Sequence, residues 1–233
     1  MGILITFEGI EGCGKTTQLR LLGDYLRKKG YTVHETREPG GTFIGDQIRK
    51  ILLNPENKGM DAIAELLLYE ACRAQLIKEL RVMSDELEVK GKDKKIILCD
   101  RFTDSTLVYQ GYGRGIKFEI IDELNRIASR GIKPAITILL DLDVKTGLKR
   151  ARERNINSRQ SAVGSRQSAE SRFEEEALEF HRKVREGYLE IASKEPERIK
   201  VIDAAMAVEE IHSEIVKVVN WKFGAPTKVG RGN

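Results

Sequence analysis

A glycine-rich stretch near the start of the chain has the residue types and spacing of a phosphate-binding loop. It reads GIEGCGKT over residues 9–16 and fits the pattern G-x-x-x-x-G-K-[ST]. An apolar run precedes it and a segment with helical periodicity follows it. Phosphate oxygens need backbone N–H groups that point inward, which glycines permit, and a helix N-terminus adds a favourable field. The stretch therefore predicts that the chain binds the phosphates of a nucleotide.

Two side chains of this loop have predicted roles of their own. Lys15 would reach the β and γ phosphates, and the Thr16 hydroxyl would ligate a Mg²⁺ ion that bridges them. A dinucleotide-binding fingerprint is excluded, because Thr17 stands where G-x-G-x-x-G requires its third glycine. The residues expected to bind the nucleotide are Gly9, Ile10, Glu11, Gly12, Cys13, Gly14, Lys15, Thr16 and Thr17.

Further charged residues follow two later apolar runs. The segment REPGGT, residues 37–42, would hold an extended loop over a ligand at the carboxyl edge of a sheet, and CDRF, residues 99–102, ends at the same edge. Asp100 is placed to orient Mg²⁺ or its waters, and Arg101 to pair with a phosphate. The alternative is that these two residues form a structural ion pair.

The elements that must position these residues alternate between short apolar runs and helical patterns. This alternation predicts an α/β fold with a five-stranded parallel sheet wrapped by helices. The strands are expected at residues 3–7, 32–35, 95–99, 135–140 and 199–202. The helices are expected at residues 15–29, 43–53, 62–88, 119–129, 144–155, 174–192 and 208–219.

Composition narrows the class of protein further. At 233 residues the chain fits one domain, and 40 basic against 36 acidic residues are too balanced for general nucleic-acid binding. No long apolar run and no signal-like start occur, which predicts a cytoplasmic protein with no membrane partner. The three cysteines lack metal-ligand spacing, and the three histidines are isolated, so ordinary packing or surface roles are expected for His34, His181 and His212.

The motifs taken together resemble the thymidylate kinases of bacteria and archaea, a family of P-loop nucleoside monophosphate kinases. The likeness spans most of the chain. Its motifs are FEGIEGCGKTTQ, TREPGGT, YEACRAQ, DRF with YQG a few residues on, SRFEEE with FHRKVREGYLEIA, and VIDA. The resemblance implies Mg²⁺-dependent transfer of the γ-phosphoryl group of ATP to thymidine monophosphate (dTMP), and a homodimer.

The resemblance also implies roles for individual residues. Glu11 would face the sugar 3′-hydroxyl and the magnesium region, Tyr69 would stack on the pyrimidine, and Arg73 and Arg101 would grip the monophosphate. The expected catalytic residues are Lys15, Asp100, Arg101 and Arg172, and the expected metal-binding residues are Glu11, Thr16 and Asp100. The residues expected to bind the second substrate are Glu11, Arg37, Pro39, Tyr69, Arg73, Arg101, Ser105, Thr106, Tyr109 and Gln110.

A polar tract in which SRQSA occurs twice, at residues 158–162 and 165–169, lies where this family has its mobile lid. We expect one kinase domain over residues 1–221, with the lid at about residues 154–173 and a flexible tail at residues 222–233. In the family that the chain resembles, the catalytic basic residue lies either at a variable position of the phosphate loop or on the lid. The variable positions here carry no basic residue, so the resemblance implies that the lid supplies the catalytic arginine. The candidates are Arg154, Arg159, Arg166 and Arg172, of which Arg172 matches the family motif most directly.

Two other functions stay open at this point. A kinase of the same fold could act on a deoxynucleoside or on a different monophosphate, and a nucleotide-dependent switch could bind a protein partner and hydrolyse slowly. Cys13 is either a small side chain that fits the loop or a redox-sensitive thiol, whose pKa the field of the helix N-terminus could lower.

Overall fold

The computed structural model describes residues 2–88, 95–161, 173 and 176–224. Its centre is a sheet of five parallel strands, as predicted, and the strand order is β2-β3-β1-β4-β5. The strands are β1 Ile3–Glu8, β2 Thr32–Arg37, β3 Lys95–Asp100, β4 Ile136–Asp141 and β5 Ile199–Asp203. Each ends one or two residues later than predicted, because the ladder hydrogen bonds continue into polar residues at the carboxyl edge of the sheet.

Helices cover both faces of this sheet. They are α1 Lys15–Lys28, α2 Phe43–Leu53, α3 Ala62–Glu88, α4 Thr103–Thr106, α5 Phe118–Ser129, α6 Val144–Ser161, α7 Leu178–Lys194 and α8 Val208–Phe223. A 3₁₀ turn, Pro55–Asn57, follows α2, and a π-helical segment, Leu107–Gly113, continues α4. Helix α4, the 3₁₀ turn and the π-helical segment were not predicted from the sequence.

Alternate residues of the central strands pack into two apolar clusters. Ile5 and Phe7 of β1 belong to the larger cluster with the residues of α1, α7 and α8, whereas Leu4 packs with Leu76 and Ile77 of α3. The same alternation separates the residues of β3. Burial on both faces explains why the sequence of these strands is an unbroken apolar run.

Helix α6 extends into the segment predicted as the lid. It ends at Ser161 instead of residue 155, so the backbone of the first SRQSA copy is helical as far as Ser161. The high helix propensity of the arginine and glutamate residues at 150–154 favours this continuation. Of the remaining lid residues, only Phe173 lies within the described ranges. At the other end of the chain, α8 takes in Lys222 and Phe223, and the rest of the predicted tail from residue 225 lies outside the description.

Candidate active site

The predicted phosphate loop joins β1 to α1 as expected. Gly12 and Gly14 have φ values of 73° and 96°. Glycine adopts such positive φ values at little steric cost because it has no Cβ atom. The Lys15 ammonium group donates to the carbonyl oxygens of Gly9 at 3.0 Å and Ile10 at 2.8 Å. The Lys15 side chain therefore points back into the loop, and its charge lies near the N-terminus of α1.

Helix α6 packs directly on this loop. A Cβ atom added to Gly12 would collide with the carbonyl oxygen of Gly147 on α6, and one added to Gly147 would lie 2.6 Å from the carbonyl oxygen of Glu11. Both glycines are needed for this close backbone approach. The helix that leads toward the lid segment is thus in contact with the loop at its other end.

Oxygen ligands meet beside the loop. The Thr16 hydroxyl donates to Asp100 Oδ2 at 2.8 Å, and both residues line the same cavity. Among the described residues, no group of three or more His, Cys, Asp or Glu side chains could hold a metal ion. A hydroxyl and a carboxylate nevertheless fit Mg²⁺, which takes few protein oxygens and completes its shell with phosphate and water.

Glu11 is held by three neighbours on the opposite side of the loop. Its Oε1 accepts from Arg101 Nη2 at 3.1 Å and from the Tyr109 hydroxyl at 2.7 Å, while Nδ1 of the fully buried His181 lies 3.5 Å from Oε2. Burial alone would raise the pKa of Glu11, but His181 and the charges of Arg101 and Lys15 outweigh it and hold this pKa well below its ordinary value. Glu11 is therefore an ionised acid at the centre of the site.

Arg101 follows β3 in a left-handed conformation, with φ at 71°. Its Nη1 donates to Ser105 at 3.1 Å and to the Tyr188 hydroxyl at 3.2 Å, and its guanidinium lies 4.8 Å from the Tyr109 ring centroid. The hydrogen bonds described for Arg101 use Nη1 and Nη2, and Nε takes part in none of them. Arg101 thus keeps donors available for a ligand.

A second buried acid, Glu8, fixes the turn that carries Arg101. Its Oε1 accepts from the Phe102 backbone N–H at 2.7 Å, and its Oε2 accepts from Ser105 at 2.5 Å and Tyr188 at 2.8 Å. Burial, aided by the nearby charge of Asp104, raises the pKa of Glu8 from 4.5 to about 7. The turn after β3 is therefore anchored to the end of β1 through one side chain.

Arg73 on α3 is almost fully buried and makes five hydrogen bonds, one for each of its N–H donors. They run to Glu38 at 2.9 and 2.6 Å, Glu70 at 2.7 Å, Asn125 at 2.6 Å and Thr106 at 2.9 Å. Burial lowers the pKa of Arg73, but Glu38 and Glu70 outweigh this effect and raise it above the ordinary value. Arg73 connects α3, α4, α5 and the loop after β2.

The π-helical segment presents Tyr109 and Gln110 to the same site. Gln110 Nε2 donates to Oε1 of Glu65 on α3 at 2.8 Å. Arg114 places Nε and Nη2 each 3.3 Å from Glu65 and donates to Glu176 at 2.6 Å. Phe173 packs against Tyr109 and Tyr69, with ring centroids 5.8 and 6.3 Å apart.

One cavity of about 970 Å³ brings the predicted site residues together. Of the predicted site residues within the described ranges, all line it except Gly9, Ile10 and Cys13, which lie beneath the loop surface. Arg154 also lines it, whereas Arg172 and Arg166 lie outside the described residues and the side chain of Arg159 is not described.

Several residues of this site were not predicted from the sequence. Arg49 lines the cavity and donates to the Pro39 carbonyl at 2.8 Å. The peptide bond between Glu38 and Pro39 is cis. The available signal for Arg49 was its position on α2, the helix that directly follows the REPGGT motif. Glu8 could have been recognised as an acid that ends an apolar strand. No sequence signal distinguished Glu65 or His181 from ordinary helix residues.

The cysteines take no part in lining the cavity. Cys13, Cys72 and Cys99 are all buried, with at most 1% of their surface exposed. Burial raises the pKa of the Cys72 thiol to about 11 and that of Cys99 well above its ordinary value. Lys15 Nζ lies 3.5 Å from the Cys13 sulfur.

Comparisons with known proteins agree with this geometry. The family model "Thymidylate kinase" matches residues 7–215. A thymidylate kinase of Geotalea uraniireducens is 51% identical over 219 residues, covering 94% of this chain and 97% of that relative. One of Pelobacter propionicus is also 51% identical over 219 residues, covering 94% of each protein. A crystal structure of thymidylate kinase from Ehrlichia chaffeensis superposes with a TM-score of 0.68 at 35% identity, covering 94% of this chain and 98% of that one. The chain belongs to the thymidylate kinase family.

Proposed function

We infer that the chain catalyses the transfer of the γ-phosphoryl group of ATP to dTMP, giving dTDP for dTTP synthesis. Family membership over nearly the whole chain supports this reaction. The observation that carries it is a continuous cavity that connects the phosphate loop to a wall of Tyr69, Thr106 and Gln110. The donor and the acceptor phosphates would meet between these two ends.

The donor end holds the ATP phosphates. Backbone N–H groups of the loop would bind them, and Lys15 would turn from the Gly9 and Ile10 carbonyls to the β and γ oxygens. Thr16 and Asp100 are the residues that would hold Mg²⁺, which supplies charge neutralisation and orientation to the phosphates when bound. Glu11 already accepts hydrogen bonds from Arg101 and Tyr109. Its negative charge would therefore act on the magnesium region through space, without a direct contact to Thr16.

The acceptor end binds the dTMP phosphate through arginines. Arg101 has free donors and is our candidate for direct contact, together with Arg37 at the cavity wall. Arg73 would act differently, because its N–H donors are all engaged within the protein. We assign to it the role of orienting Thr106 and Glu38 around the acceptor. Tyr69 would stack on the base, with Ser105, Thr106, Tyr109 and Gln110 around the sugar and base.

The chemical step needs positioning more than covalent assistance. An ionised oxygen of the dTMP phosphate forms the new bond to the γ phosphorus, and the bond to the bridging oxygen of ADP breaks. Lys15 and the arginines stabilise the negative charge that is redistributed. No protein base is required, since the attacking oxygen is ionised at neutral pH.

The proposed assembly is a homodimer. Exposed apolar side chains lie on neighbouring helices, among them Phe43 and Ile51 on α2 and Ile63 and Leu67 on α3. A patch of this kind marks an interaction surface. Sedimentation velocity at micromolar concentration should give the mass of two chains, and a monomer would contradict the proposal. In the described ranges no helix is long and apolar enough to cross a membrane, and the cytoplasmic location stays a prediction.

A coupled assay with ATP, Mg²⁺ and a panel of nucleoside monophosphates tests the reaction. We expect the highest kcat/KM with dTMP and no phosphorylation of thymidine itself. A preference for another monophosphate or for the nucleoside would indicate a different kinase. ATP hydrolysis that is independent of any acceptor would favour the nucleotide-dependent switch.

A further inference from the structure

The amide of Gln110 is held from behind by a buried acid. Gln110 lines the cavity, and its side-chain nitrogen donates to Glu65 Oε1 at 2.8 Å. A carboxylate only accepts hydrogen bonds, so it selects the nitrogen end of the amide. The oxygen end of Gln110 is therefore the end that is left for a ligand.

Glu65 itself is fixed. It is fully buried on α3, and Arg114 places two guanidinium nitrogens each 3.3 Å from its carboxylate. A buried carboxylate needs such a neighbouring positive charge. Because Arg114 also binds Glu176 at 2.6 Å, its own position is fixed from two sides. The orientation of the Gln110 amide is thus set by a network outside the cavity.

We propose that Glu65 is a specificity-determining residue, which turns Oε1 of Gln110 toward the cavity and so selects a pyrimidine that carries a hydrogen on ring nitrogen N3. This proposal rests on the proposed function, in which Gln110 lies beside the base. Thymine and uracil offer an N3–H donor to an acceptor, whereas N3 of cytosine is itself an acceptor.

The discrimination arises because two hydrogen-bond acceptors, Oε1 of Gln110 and N3 of cytosine, would face each other in a complex with a cytosine nucleotide. An unrestrained amide could rotate and offer its N–H₂ group to cytosine, but this rotation would place two oxygens, those of Gln110 and Glu65, in contact. The neighbouring Arg73 cannot relieve the mismatch, since its N–H donors are already engaged. A site built in this way rejects a ligand that leaves buried polar groups unpaired.

The substitution Glu65→Gln tests the proposal, because the new side chain has the same size but can donate as well as accept. The Gln110 amide can then adopt either orientation. We would measure kcat/KM for dTMP, dUMP and 5-methyl-dCMP, which keeps the methyl group and changes only the hydrogen-bonding edge. The ratio of dTMP to 5-methyl-dCMP should fall by at least about tenfold, while the ratio of dTMP to dUMP should stay within about twofold.

Glu176→Gln is the matched control. It makes the same chemical change at the other acid bound to Arg114, but Glu176 has no contact with Gln110 among the described hydrogen bonds. Its selectivity ratios should equal those of the unaltered protein. An equal loss of kcat/KM for all three substrates in Glu65→Gln would show a merely structural role and overturn the proposal.

Gln110→Leu separates this inference from the proposed function. If it leaves the dTMP to 5-methyl-dCMP ratio unchanged, Gln110 does not contact the base and the proposed arrangement of the site is wrong. If it lowers the ratio while Glu65→Gln does not, the arrangement stands and the role of Glu65 is refuted. Should Glu65→Gln fail to fold, Glu65→Asp retracts the carboxylate from Gln110 with its charge kept, and the same loss of selectivity is expected.

Discussion

Arg101 and Arg73 are both buried arginines of the site, but they differ in what they can still bind. Arg73 has an acceptor for each of its donors, whereas the hydrogen bonds described for Arg101 leave its Nε unused. A buried guanidinium is costly unless acceptors and opposite charges surround it, as they do around Arg73. We therefore expect Arg73 to stabilise the site and Arg101 to contact a ligand.

Glu8 gives a prediction about pH and stability. Its pKa rises from 4.5 to about 7 in the folded protein, because burial and the charge of Asp104 outweigh the opposing effects of Arg101, Ser105 and Tyr188. Below pH 4.5 the acid is protonated in both the folded and the unfolded state. Between pH 4.5 and 7 the unfolded chain ionises first, so the contribution of Glu8 to stability falls as the pH rises.

Glu8→Gln removes this titration without changing the size of the side chain. We would measure the free energy of unfolding of both proteins in urea between about pH 5 and pH 7.5. As the pH rises over this range, the stability of the unaltered protein should decline by up to about 3 kcal/mol relative to that of the variant. A difference between the two proteins that is independent of pH would mean that the Glu8 carboxyl titrates normally.

At the scale of elements, the contact between α6 and the phosphate loop gives the second prediction. Gly147→Ala would place a Cβ atom against the Glu11 carbonyl oxygen and push the loop and helix apart. We expect a loss of about 1–3 kcal/mol in stability, and a fall of about tenfold in kcat/KM for ATP because the loop is displaced. Thermal melts and steady-state kinetics measure both.

Gly23→Ala on α1 is the matched control, since it is the same change within a helix. The added Cβ would meet the end of the Glu35 side chain, which can move. Alanine also has the higher helix propensity, so stability should be unchanged or higher. If Gly147→Ala is equally harmless, the packing of α6 does not position the loop.

The elements differ in how far the sequence predicts them. The five strands and α1, α2 and α3 follow from apolar runs and helical periodicity, and α2 and α3 have the predicted bounds. The π-helical segment does not follow, because its local sequence is also compatible with an α-helix and its extra residue per turn depends on tertiary packing. Most partners of Arg73 are equally hidden, since Glu38, Thr106 and Asn125 come from distant parts of the chain and only Glu70 is a neighbour on the same helix.

At the scale of the molecule, the cavity is bounded by the phosphate loop, by the π-helical segment and by residues at both ends of the segment predicted as the lid. Arg154 on α6 lines it from one side, and Phe173 lines it from the other. A lid that closes from these two points would exclude water from the transferring phosphoryl group. The arginines between them would then reach the phosphates.

The lid arginines give the last prediction. Arg172→Ala should lower kcat far more than it raises the KM for ATP, because a residue that acts in the transition state contributes little to ground-state binding. The combined change of Arg159 and Arg166 to alanine is the comparison and should have a smaller effect. An unchanged kcat in Arg172→Ala would assign the catalytic role to another of the four candidates.

The burial of the three cysteines has a practical consequence for following such a closure. Thiol reagents attack the exposed thiolate, and Cys13, Cys72 and Cys99 offer little surface to a bulky maleimide in the folded protein. A cysteine introduced at an exposed position, for example at Asp24 on α1, would be labelled selectively with no need to remove the native thiols. A pair of dyes, one on the body and one on the lid, could then report the distance between them during turnover.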